Sequence, residues 1–204
     1  MPKVMICSTE WKEILRKRRA LGHDRKDEVW NGVYFMAPDP TNSHQRQTSR
    51  IEDALEASAP VGSNVQAGGN VSDRKKGWKL NFRCPDVMVF LPGNPAEDCE
   101  THYAGGPDFL VEVVSPGDRS EKKLGFYASV GVREVLLVDQ GKARITLYKR
   151  DGEGWAEPAT AKLDEDSRLQ SDVLPVSFSF QSVAGDKRPH VFVRHLIDGR
   201  IWDA

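Results

Sequence analysis

Two carboxylates, Asp86 and Glu112, stand where strands are expected. Glu112 sits inside "DFLVEVV" with apolar residues on both sides. In a strand, Leu110, Glu112 and Val114 would share one face, and Phe109, Val111 and Val113 the other. Both faces are apolar apart from Glu112, as in a central strand covered on both sides. A lone ionised carboxylate there is costly or takes up a proton, so it needs a cation, a hydrogen-bond network or water from a cleft. Asp86 follows Pro85 and opens the apolar run "VMVF". One loop separates the two segments, which suits hairpin neighbours whose carboxylates converge on a divalent ion. Mg²⁺ takes oxygen ligands and keeps several waters. Two acids with an open coordination position suit metal-assisted hydrolysis of a phosphodiester. Lys123, on the helix expected after Glu112, shares a face with Phe126 and Tyr127. Its ammonium could orient the attacking water or stabilise developing charge, with Lys122 as the fallback.

Each of these residues also has a structural explanation. Asp86 could cap a turn, Glu112 could be a hydrogen-bonded core acid, and Lys123 a solvated helix lysine. His44 and Gln45 begin a helix and could touch substrate or simply solvate its start. Tyr127 could hydrogen-bond near the site or pack in the core.

The elements that must position these groups follow from local patterning. "STEWKEILRKRRALG" predicts a helix capped by Ser8 or Thr9 and closed by Gly22. "DEVWNGVYFMAP" predicts a hairpin around Asn31-Gly32. "QRQTSRIEDALEASA" predicts a helix, with Ile51 and Leu55 four apart. The stretch from Pro60 to Phe82 is rich in Gly, Ser and Asn, and predicts exposed chain with at most a short strand. "NPAEDCETHYAGG" predicts a loop. "GDRSEKKLGFYASVG" predicts a helix with Asp118 and Glu121 as a capping box and Gly131 as its stop. Strands are expected at Glu134–Asp139 and Ala143–Lys149, joined by a tight turn. A strand-helix-strand passage from Phe109 to Val138 implies a parallel pair with a right-handed crossover. "SDVLPVSFSF" alternates as an edge strand would, and "PHVFVRHLIDGRIWDA" suits another hairpin. The fold class expected is α/β, a mixed β-sheet flanked by helices.

A chain of 204 residues suits one domain that buries its own core. Its net charge of -1 predicts no global attraction to nucleic acid, so binding would need a local basic patch. Two clusters qualify, "RKRRALGHDRK" and "DRKKGWK". The second sets Arg74, Lys75, Lys76 and Lys79 around Trp78, which could stack on a base or lie on a solvated loop. Cys7, Cys84 and Cys99 show neither disulfide nor zinc spacing and suit reduced thiols. The N-terminus lacks a signal-peptide run, and no stretch approaches a membrane span. A cytoplasmic location is expected.

Five strings, "DEVWNGVYFMAPDPTNSHQ", "RCPDVMVF", "PDFLVEVVSPGDRSEKKLGFYASVGVREVLLVD", "ARITLYKRDGEGW" and "SDVLPVSFSF", run in the order of a known family. Together they make the chain resemble the Uma2 (DUF820) restriction-endonuclease-like family of the PD-(D/E)XK nuclease superfamily. The resemblance covers most of Glu28 to Phe180. It implies an αβββαβ core whose acids bind Mg²⁺ or Mn²⁺ and activate water. Carried over, Asp86 matches the motif's Asp and Glu112 its acidic partner. Glu28, in "DEVWNG", matches a glutamate ahead of the first hairpin that completes the metal shell. The superfamily motif sets Lys two residues after the Glu, where this chain has Val114. Lys123 in "KLGFYA" fits the basic slot instead.

The activity implied is a Mg²⁺-dependent endonuclease acting on DNA. The alternative is a nuclease-fold module that no longer cuts and serves as a binding protein. By analogy with double-strand cutting, a homodimer is expected. Residues 1–180 would form the nuclease-like domain, and 181–204 an extension that docks or dimerises.

Overall fold

The structure is a computed structural model that describes residues 9–115 and 120–204. Helix α1 (Thr9–Ala20) leads to the hairpin of β1 (Glu28–Trp30) and β2 (Val33–Phe35). Asn31 and Gly32 take φ of 49° and 81°, the paired left-handed geometry that selects Asn-Gly in two-residue turns. Gly32→Ala should therefore lower stability by about 1–2 kcal/mol, read as a fall of a few degrees in the thermal midpoint.

Helix α2 (Asn42–Ser58) starts at Thr41, whose hydroxyl accepts from the His44 N–H at 3.3 Å. Its buried residues Gln47, Thr48, Ile51, Ala54, Leu55 and Ser58 fall at the three- and four-residue spacing of one helix face. Next come β3 (Asn64–Ala67), β4 (Val71–Ser72), a 3₁₀ turn at Trp78–Leu80 and β5 (Phe82–Arg83). Much of this stretch is exposed, as expected, but the expectation of at most one short strand is corrected. Val71 and Ser72 are fully buried, and the strands are merely too short to show a period. Strands β6 (Val87–Phe90), β7 (Glu97–Asp98), β8 (Tyr103–Ala104) and β9 (Phe109–Val113) follow. β7 and β8 form a small antiparallel pair where a plain loop was expected.

After α3 (Ser120–Ser129) run β10 (Glu134–Asp139), β11 (Arg144–Asp151), β12 (Gly154–Trp155), β13 (Ala159–Lys162), β14 (Leu169–Gln170), β15 (Val176–Gln181), β16 (His190–His195) and β17 (Ile201–Asp203). The expected cap at Asp118 lies outside the described residues. Among the described residues the central sheet runs β12-β11-β10-β9-β6-β3, with β13 also on β11. β9 pairs antiparallel with β6 and parallel with β10, as a crossover through α3 requires. The succession α2, β3, β6, β9, α3, β10 is an αβββαβ core within a mixed sheet flanked by helices.

Phe109, Val111 and Val113 pack with Ile51 and Leu55 of α2 and with Phe178 and Val193. Leu110 packs instead with Tyr127, Val132 and Val135. Each such fully buried side chain contributes roughly 1.5–3 kcal/mol. β15 is an interior strand of the sheet β14-β15-β16-β17, which corrects the expectation of an edge. The chain beyond residue 180 supplies β16 and β17 and the buried Val191, Val193 and Ala204, all joined to the main core. Cys84 and Cys99 are unpaired, and Cys7 lies outside the described residues. No helix among the described residues is long and apolar enough to cross a membrane.

Candidate active site

β6 and β9 pair with Val87 opposite Val111. Continuing that register by one residue sets Asp86 opposite Glu112. The Asp86 N–H donates to Val111 O at 3.1 Å, and Asp86 Oδ2 accepts from the Val113 N–H at 2.9 Å. Pro85 and the short strand ahead of it deliver Asp86 to the point where β6 meets the end of β9. Both acids are buried, Glu112 at 2% exposure and Asp86 at 7%.

Lys123 comes from the first turns of α3 and reaches both Glu112 oxygens at 3.0 Å. The same Nζ stands 2.9 Å from Glu28 Oε1. One helical turn on, Tyr127 donates its hydroxyl to Glu112 Oε1. Glu28 is itself held by the Trp30 indole N–H at 2.7 Å and the Cys84 amide at 2.9 Å. The four residues singled out in the sequence thus gather in one cluster, with Glu28 joined to it through Lys123.

Two further basic side chains serve Asp86. Lys26 Nζ lies 3.4 Å from Oδ1, and His44 Nε2 lies 3.3 Å from Oδ2. His44 Nε2 is also 3.1 Å from Val113 O. Lys26 closes the basic cluster "RKRRALGHDRK", but nothing in the sequence points it at Asp86, because it sits in a turn whose neighbours are set only by tertiary closure. Arg83 was missed too. Its Nη1 donates to the Val29 and Phe82 carbonyls at 3.0 Å, and its guanidinium lies 4.6 Å from the Trp30 ring and 4.2 Å from the Phe126 ring. It therefore braces the indole that holds Glu28, and its adjacency to "CPD" was the one available hint.

Burial pushes the Glu112 carboxyl up to about 7, and the charges on Asp86 and Glu28 push the same way against Lys123 and the Tyr127 hydroxyl. Asp86 moves oppositely. Burial would raise it, but His44, Lys26 and the Val113 N–H together hold it below the usual carboxylate range. Burial would lower His44, yet Asp86 and the Val113 carbonyl raise it. Paired acids with opposite proton preferences are the pattern of hydrolytic centres.

The donor chemistry fits a hard cation. Asp86 Oδ2 and Val113 O converge on one atom, His44 Nε2, and Glu112 is adjacent. No three His, Cys, Asp or Glu side chains among the described residues group closely enough to hold a metal ion. Side-chain ligands would therefore number fewer than three, as Mg²⁺ commonly accepts when water and substrate phosphate complete its shell.

Two of the four cations in the "DRKKGWK" cluster are paired with acids. Arg74 pairs with Asp73, Lys75 with Glu97, and the Trp78 ring stacks on His102 at 4.7 Å.

An αβββαβ core with paired acids at the β6–β9 junction defines the chain as restriction-endonuclease-like. The family model for Uma2, described as "Putative restriction endonuclease", matches residues 11–184, and the chain belongs to that family. It is similar to the crystal structure of "a putative nuclease belonging to DUF820 from Anabaena variabilis ATCC 29413", with a TM-score of 0.58 and 15% identity, over 72% of this chain and 82% of that one. That likeness shows the fold. Comparison with curated proteins gives no match.

Proposed function

We infer that the protein is a Mg²⁺-dependent endonuclease that hydrolyses DNA phosphodiester bonds. The observation that carries this reading is the convergence of Asp86 and Glu112 from neighbouring strands, with Lys123 donating to both Glu112 oxygens. Asp86 and Glu112 would hold the ion. The bound ion would supply Lewis-acid stabilisation of the phosphoryl oxygens and a more acidic water. Lys123, fixed by Glu28 and Glu112, stands ready to stabilise charge on the phosphate. Tyr127 keeps the Glu112 carboxylate oriented, and His44 does the same for Asp86. Glu28 serves first as the anchor of Lys123, and its oxygens already accept from Trp30 and Cys84.

One observation favours the non-cutting alternative. Each buried acid already has a protein cation beside it, so the cluster can balance its charge without metal. Titration calorimetry with Mn²⁺ separates the two readings. Wild-type protein should give saturable heat that Glu112→Gln loses. Equal heats from the two proteins would remove the metal centre and leave the binding module.

A further inference from the structure

We propose that the outer face of the β14–β17 sheet carries a second phosphate-binding site, a trough that grips the nucleic-acid backbone away from the acidic cluster. Leu169, Phe178 and Val193 point into the core, so their strand neighbours face outward. Cross-strand register sets Gln170 opposite Ser177, Ser177 opposite Arg194, and Arg194 opposite Ile201. Arg168 lies two residues before Gln170 and shares its side of the sheet. The result is an open groove of about 560 Å³ lined by Arg168, Gln170, Ser177 and Arg194 together with the segment 195–199, which brings His195, Leu196, Ile197 and Asp198 to it. Ser177, at 4% exposure, forms its floor, and the two exposed arginines form its walls.

The two guanidiniums of this groove are uncommitted, whereas His195 and Asp198 pair with each other at its edge. Arg18, Arg74, Arg133 and Arg200 are each held by an aspartate. Arg168 and Arg194 have no such partner among the described residues. The acids close by are mostly engaged elsewhere. Asp164 accepts from Ser182, Glu165 from the Lys162 amide, and Asp198 from Arg200 while pairing with His195. Asp166 is outside the lining. Two free guanidiniums across a floor of small hydroxyl and amide groups suit successive oxygens of a phosphodiester. The trough is open along the sheet, which admits a passing strand rather than enclosing one ion.

This inference rests on the nuclease reading for its ligand, and the test keeps the two apart. A fluorescein-labelled DNA duplex is titrated in chelator against wild type, Arg168→Ala/Arg194→Ala and Arg168→Lys/Arg194→Lys. The alanine pair should bind about tenfold more weakly, with a salt slope shallower by about 2, and the lysine pair should recover most of both. Glu112→Gln, assayed separately for Mg²⁺-dependent cleavage, carries the nuclease reading alone. Unchanged affinity and slope in the alanine pair overturn the trough, whatever happens to cleavage. Saturable inorganic-phosphate binding lost in the alanine pair, with duplex binding intact, also overturns it by making the ligand a free anion. Undiminished cleavage by Glu112→Gln overturns the nuclease reading and leaves the trough standing on its binding data.

Discussion

Lys123→Met is expected to destabilise the protein by about 3–5 kcal/mol near neutral pH, because removing one member of a buried ion cluster strands the others. Lys123 Nζ stands within 3.0 Å of both Glu112 oxygens and 2.9 Å of Glu28. Methionine matches its length but offers no charge. Glu112 and Glu28 would then face each other in a nearly dry site, and Glu112 would hold its proton to still higher pH. The sign follows from linkage. A carboxyl whose folded pKa lies above its unfolded value stabilises the fold below the unfolded pKa. That contribution is lost as pH rises through the folded pKa. The variant's deficit should therefore be modest in mild acid and grow as pH rises past neutrality. Urea unfolding in chelator at several pH values measures it. Adding Glu112→Gln should restore part of the loss, giving a coupling on the order of 1–3 kcal/mol in a double-mutant cycle. A pH-independent deficit under about 1 kcal/mol would show that Lys123 is not the counter-ion of Glu112.

Glu112 and Lys123 are legible in the sequence for the same reason. A carboxylate in an apolar strand demands a partner, and a helical period places one amine on the face that returns over that strand. The inference is less specific than it looks, because Glu134 is equally buried in an equally apolar strand. Its carboxylate accepts from the Ser171 hydroxyl and the Asp172 amide, so it closes a distant turn. Locally the two differ only in that Glu112 lies inside its strand while Glu134 opens its own after Arg133; what singles out Glu112 more firmly is Asp86 opposite it, a matter of strand pairing. The same limit explains Lys26, which meets Asp86 across 60 residues of chain. It explains β15 as well. The alternation of Ser177 and Ser179 with Phe178 and Phe180 suggests one wet and one dry face, yet both serines are buried too, because an interior position depends on β16 arriving beside the strand. Strands as short as β4 and β5 carry too few residues for any period to register. The core elements α2, β6, β9, α3 and β10, by contrast, carry enough pattern to be read directly, whereas β3 lies within the weakly patterned Pro60–Phe82 stretch.

Glu112→Gln should lower Mg²⁺-dependent cleavage of duplex DNA by roughly a thousandfold, equivalent to about 4 kcal/mol of transition-state stabilisation. The amide keeps an acceptor for Tyr127 and Lys123, so the fold should persist, but it removes the negative charge a divalent ion needs. The same variant tests the electrostatics without any cleavage. In metal-free wild type the Glu112 carboxyl is pushed from its ordinary 4.5 up to about 7. The folded state then binds more protons than the unfolded chain between those values. The group's stabilising contribution is complete below the lower value and is lost as pH rises through the upper one. The amide has no such titration. The stability of wild type relative to Glu112→Gln should therefore fall by up to roughly 3 kcal/mol as pH climbs from about 4 to about 8. Mg²⁺ should then stabilise wild type alone, and more strongly at higher pH, since the ion competes with that proton. Wild-type rates from the variant would refute the catalytic role, whereas a flat stability difference would refute the burial that makes Glu112 reluctant to ionise. The first result concerns chemistry and the second concerns the resting site, so either can fail while the other stands.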